Sequence, residues 1–100
     1  MKIPSKVQVG PKTYLLLWSD KPDGDNQWAH TSHASAEIRF GILLRHRKDT
    51  ELPSTLIHEL IHAVADVYAV DIDEDATTAL ANGLAQALTS LKILPEKLDL

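Results

Sequence analysis

His58, Glu59 and His62 form the run His58-Glu59-Leu60-Ile61-His62. In a helix, residues at i and i+4 share one face, so two imidazoles can reach a single ion. Glu59 then stands beside them, where it can take a proton from water. A zinc ion with three protein ligands and one open position lowers the pKa of its water to about 7, which makes hydroxide available at neutral pH. The spacing therefore points to metal-assisted hydrolysis, with His58 and His62 as ligands and Glu59 as general base. Two surface histidines beside a solvated glutamate are the plainer reading of the same residues.

A third ligand must come from elsewhere. The chain has no cysteine, so only His, Asp and Glu are available, and no disulfide can staple the fold. The candidate carboxylates after His62 are Asp66, Asp71, Asp73, Glu74 and Asp75. Asp66 lies one helical turn past His62, where it is better placed to orient an imidazole than to complete a tetrahedral site. Glu74 can serve if the first helix stops near Tyr68 and the chain folds back over a few residues, which an extended chain covers at about 3.3 Å or more per residue. Asp73 and Asp75 stay open as ligands, although capping is the ordinary role for either. For a group that stabilises an oxyanion, the candidates are His30, His33, His46 and Tyr68, each with a common surface or packing role as its alternative.

The elements that must position these groups can be read from periodicity. Residues 6–9 and 13–18 flank Gly10-Pro11 and predict a hairpin. Residues 19–26 are dense in turn formers and predict an exposed loop; their three carboxylates do not follow a calcium-loop pattern. Ile38, Phe40, Ile42 and Leu44 alternate with Glu37, Arg39, Gly41 and Leu43, the pattern of a half-buried strand over residues 37–44. Pro53 suits the first turn of the next helix.

Over residues 54–68, Leu56, Ile57, Leu60, Ile61, Val64, Val67 and Tyr68 make one broad apolar stripe. His58 and His62 point away from that stripe and share a side with Ala65 and Ala69, toward a second helix. That helix runs from Glu74 to about residue 92, capped by Asp71 or Asp73, with Leu80, Leu84, Ala87, Leu88 and Leu91 as its predicted buried stripe. Gly83 within it suggests a tight helix contact. Together these elements predict an α+β domain spanning residues 1–100, in which a small mixed or antiparallel sheet of about three strands lies on two helices.

Thr55-Leu56-Ile57-His58-Glu59-Leu60-Ile61-His62-Ala63, with Asp66 following, resembles the T-L-x-H-E-x-x-H-A-x-x-x-D run of small, mostly phage or prophage metallopeptidases. Asp73-Glu74 and Leu80-Ala81-Asn82-Gly83-Leu84 are similar to the D-E…L-A-x-G-L stretch of those proteins. They look like minimal gluzincins, the thermolysin-like zinc peptidases whose third ligand is a glutamate on the helix after the motif helix. The resemblance covers roughly residues 36–91. It implies a zincin-like fold in which His58, His62 and Glu74 bind Zn2+, Glu59 is the catalytic base, and the substrate is a peptide or protein. By the same analogy, the strand over residues 37–44 would be the sheet edge that pairs with an extended peptide. The connection between the two helices departs from the usual pattern in having no glycine.

Composition narrows the rest. At 100 residues the chain is long enough for one core, and 44% hydrophobic with 24% charged residues is ordinary for a globular protein. A net charge of -4 argues against a nucleic-acid partner, and Arg45-His46-Arg47-Lys48 reads as a solvated loop. No apolar run reaches membrane-spanning length and no signal-peptide pattern opens the chain, so a cytoplasmic location is the default expectation. A second functional class stays open, a zinc-binding regulatory or protein-interaction module without turnover.

Overall fold

The computed structural model describes residues 3–19, 28–41 and 51–95. Gly10 sets the first turn: its φ of 58° lies in the left-handed region, and a Cβ there would stand 2.8 Å from Val67 Cγ1. Glycine meets both demands. The chain accordingly reverses from β1 (Lys6–Val9) into β2 (Lys12–Ser19) as the predicted antiparallel hairpin, with Val9 opposite Lys12.

The remaining strands are β3 (Ala29–Ser32) and β4 (Glu37–Gly41). The alternation read in the sequence holds along β4, where Ile38 and Phe40 are fully buried and Glu37 and Arg39 occupy the other face. The sheet order is β1-β2-β4-β3, with β2 parallel to β4 and the other neighbours antiparallel. This corrects the sequence reading twice. The sheet has four strands rather than about three, and β4 is interior, so among the described residues the outer strands are β1 and β3, not β4. β3 escaped notice because Ala-His-Thr-Ser contains no large apolar residue. It forms through its ladder to β4, and a helix covers its buried residues Ala29 and Thr31. The expected loop beyond Ser19, residues 42–44 of the expected strand, and the basic run 45–48 lie outside the described residues.

That covering helix is α1 (Glu51–Val67). Pro53 sits in its first turn, where main-chain N–H groups have no intrahelical acceptor. The buried residues are Leu52, Pro53, Leu56, Glu59 and Ala63, with Ile57, Leu60 and Val67 packed at the margins of the core that holds Tyr14, Leu16, Ile38 and Phe40. Val64 and Tyr68, placed on the buried stripe by periodicity, are exposed. The helix ends without glycine. Ala69 takes φ 54°, its N–H reaches Asp66 O at 3.4 Å, and the Val70 N–H donates to Ala65 O at 2.9 Å. This is the paired closure usually built on a left-handed glycine.

A short connection leads to α2 (Glu74–Ser90), whose N-cap is Asp73: its carboxylate accepts from the Ala76 N–H at 2.7 Å. The face that α2 buries is Thr77, Ala81 and Ala85, with Leu88 partly covered. The predicted leucine stripe is therefore largely outward, since Leu80, Leu84 and Leu91 are exposed. Small residues win the inward position because they let α2 lie close along α1; a row of leucines there would hold the helices apart. Gly83 does not mark a tight contact either, because a Cβ there would meet nothing within 4 Å. No described helix is long and apolar enough to cross a membrane.

Candidate metal centre

The turn from α1 into α2 brings three side chains together. On α1, His58 and His62 stand one turn apart, their Nε2 atoms 3.1 Å from each other and their rings edge to face. At the start of α2, the Glu74 carboxylate meets both: Oε1 lies 2.7 Å from His58 Nε2, and Oε2 lies 3.2 Å from His62 Nε2. Tetrahedral coordination at about 2.0–2.1 Å sets neighbouring ligand atoms roughly 3.3 Å apart. The Nε2–Nε2 and Nε2–Oε2 separations are close to that figure and the Nε2–Oε1 separation is shorter, so the three side chains converge on one point.

Glu59 occupies the adjoining position. Ligand atoms of His58, Glu59 and His62 lie within 4.8 Å of one another, a group that could hold a metal ion. Yet Glu59 belongs to the buried face of α1 and is only 6% exposed, turned toward β3. There the Thr31 hydroxyl donates to Glu59 Oε1 at 2.8 Å and lies 3.1 Å from the Glu59 main-chain oxygen. Sequence reading missed Thr31, and no local signal marked it, because the strand that presents it was itself illegible.

The other candidates separate clearly. Asp73 caps α2, and Asp71 and Asp75 are exposed. Asp66 forms no hydrogen bond or ion pair with His62 among the described residues. Its Oδ2 lies 3.5 Å from His33 Nδ1 and 4.0 Å from Lys12 Nζ, so it orients an imidazole, but one on the turn after β3. The reason is tertiary: that turn and β2 come up against the last turns of α1 and offer Asp66 two cationic or polar partners. Lys12 Nζ also donates to His33 O at 2.6 Å, and Tyr14 Oη stands 3.4 Å from His33 Nδ1. Tyr68 is exposed, with its hydroxyl over Gly10, while His46 lies outside the described residues.

His58, Glu59, His62 and Glu74 open onto one cleft of about 760 Å³, whose lining also includes His30, Thr31, His33, Trp28 and Asn82. Its volume falls in the range of about 300–1,000 Å³ usual for ligand sites. Comparison with family models, curated proteins and solved structures finds no match to this chain.

Proposed function

We propose that the chain is a zinc-dependent peptidase in which His58, His62 and Glu74 hold the ion and Glu59 is the general base, the activity that the gluzincin resemblance implies. The observation that carries this reading is the convergence of two Nε2 atoms and one carboxylate at 2.7–3.2 Å beside a second, buried carboxylate. A site of two imidazoles and one carboxylate suits Zn2+. When bound, zinc would supply Lewis-acid polarisation of the scissile carbonyl and of water. Glu59 takes a proton from the water whose oxygen bonds to the carbonyl carbon, and returns that proton to the amine nitrogen as the C–N bond breaks.

The surroundings suit a peptide. β3, one of the two outer described strands, runs beside the cleft, where an extended chain can align. His33 has its Nδ1 side engaged by Asp66 and Tyr14, and an Nε2–H on the same ring would be available to donate to a developing oxyanion. A second reading, a zinc-stabilised binding module, is favoured by one observation, the exposed leucines Leu80 and Leu84 along α2 and Leu91 at its C-cap.

Metal content and cleavage of unfolded casein by wild type and Glu59→Gln separate the two. The peptidase reading expects both proteins to bind one equivalent of zinc, with the variant at least about 100-fold slower. Wild-type protein that holds zinc yet cleaves neither casein nor broad peptide libraries would leave the binding module as the better account.

A further inference from the structure

We propose that Thr31, on the reading of Glu59 as general base, is the residue that aims it: the hydroxyl ties down one carboxylate oxygen and leaves the other free for the water. A carboxylate removed from solvent needs a hydrogen-bond partner. Among the described residues, the Thr31 hydroxyl at 2.8 Å is the side-chain partner Glu59 has. That hydroxyl has one proton and two acceptors within reach, Oε1 and the Glu59 main-chain oxygen at 3.1 Å. The main-chain oxygen sits inside α1 and is already served by the helical N–H four residues on. The proton is therefore left for the carboxylate.

The donor is also well fixed. Thr31 is itself buried, and its main chain pairs with fully buried Ile38 on β4. Its branched Cβ restricts rotation about χ1. Glu59 by contrast reaches out through three rotatable bonds, and without an anchor it can swing away from the histidines. The bond thus ties the sheet to the helix at the point where proton transfer takes place. A threonine that only satisfied a buried acceptor would contribute to folding and nothing else, and the two roles can be told apart.

The test uses the full chain loaded with zinc, as wild type, Thr31→Val, Thr31→Ser and Glu59→Gln, with two readouts. The first is binding of acetohydroxamic acid, a zinc chelator that also presents a proton to the base, measured by calorimetry. The second is kcat and KM on casein-derived fluorogenic peptides. The expected result is unchanged zinc content in Thr31→Val, hydroxamate affinity lowered about tenfold, and kcat lowered about 100-fold at unchanged KM. Thr31→Ser, which keeps the donor, should recover most of both. Should Thr31→Val fail to fold, Thr31→Ala removes the same hydroxyl and takes its place. Hydroxamate affinity equal to wild type in the variant lacking the hydroxyl overturns the aiming role, whatever the activity. A wild type that binds zinc and hydroxamate but cleaves nothing overturns the peptidase reading instead, and the hydroxamate series still decides the role of Thr31. A wild type that takes up no zinc overturns both.

Discussion

Glu74 Oε1 lies 2.7 Å from His58 Nε2, although Glu74 is 66% exposed and the histidine 19%. The residue before it, Asp73, gives its carboxylate to the main chain as N-cap. Two adjacent acids thus divide two tasks, and substitution should separate them. Glu74→Gln should cost zinc affinity more than the roughly 10–100-fold typical of groups that only orient ligands, with little change in unfolding midpoint. Asp73→Ala should retain a full equivalent of zinc at saturating metal and lose about 1 kcal/mol of stability. Metal titration alongside urea unfolding checks both, and the reverse pattern would make Asp73 the ligand.

Ala69 holds a left-handed φ of 54° at the end of α1, a conformation that costs a residue with a Cβ about 1–2 kcal/mol. Ala69→Gly should therefore stabilise the protein by about 1 kcal/mol, or raise Tm by roughly 4–8 °C. Ala65→Gly, one turn earlier inside the helix, should do the opposite by a similar amount. Thermal unfolding of the two variants side by side is sufficient. A loss of stability in Ala69→Gly would mean that α1 ends differently.

The inward face of α2 can be tested by size. Ala81 is 1% exposed whereas Leu84 is 45% exposed. Ala81→Leu should destabilise the fold by about 1–3 kcal/mol through overpacking against α1, and should weaken zinc uptake by pushing Glu74 away from the histidines. Leu84→Ala should stay within about 0.5 kcal/mol of wild type. If Leu84→Ala proves the damaging change, the leucine stripe and not the alanine face is buried.

Glu37 carries the pH dependence that can be assigned. Hydrogen bonds from Arg39, at 3.0 Å from Nε and 2.7 Å from Nη2, hold its carboxyl below the ordinary value of 4.5, against an opposing effect of desolvation. The folded-state pKa is depressed, so the contribution to stability is present above the ordinary value and is lost as pH falls through the lowered one. The pair lies on the outer face of the sheet, and its effect on stability is small. Carbon-13 NMR titration should find the Glu37 midpoint below 4.5 in wild type and closer to it in Arg39→Met. An unmoved midpoint would show that Arg39 does not act on it.

Much of the site is a matter of local order, and that part is legible in the residues themselves. The pairing of His58 with His62 follows from one helical turn, the hairpin from Gly10, the inward pair Ile38 and Phe40 from alternation, and a cap at Asp71 or Asp73, which the structure resolves to Asp73, from their place before a helix. Each depends on neighbours a few positions away, where backbone geometry leaves few options. The tertiary structure alone decided that Ala-His-Thr-Ser is a strand, that α2 turns Ala81 and Ala85 inward and Leu80 and Leu84 out, that Asp66 serves His33, and that Thr31 meets Glu59. Those are choices of partner between distant segments. They depend on how closely two helices and a sheet can approach, which periodicity along one element does not encode.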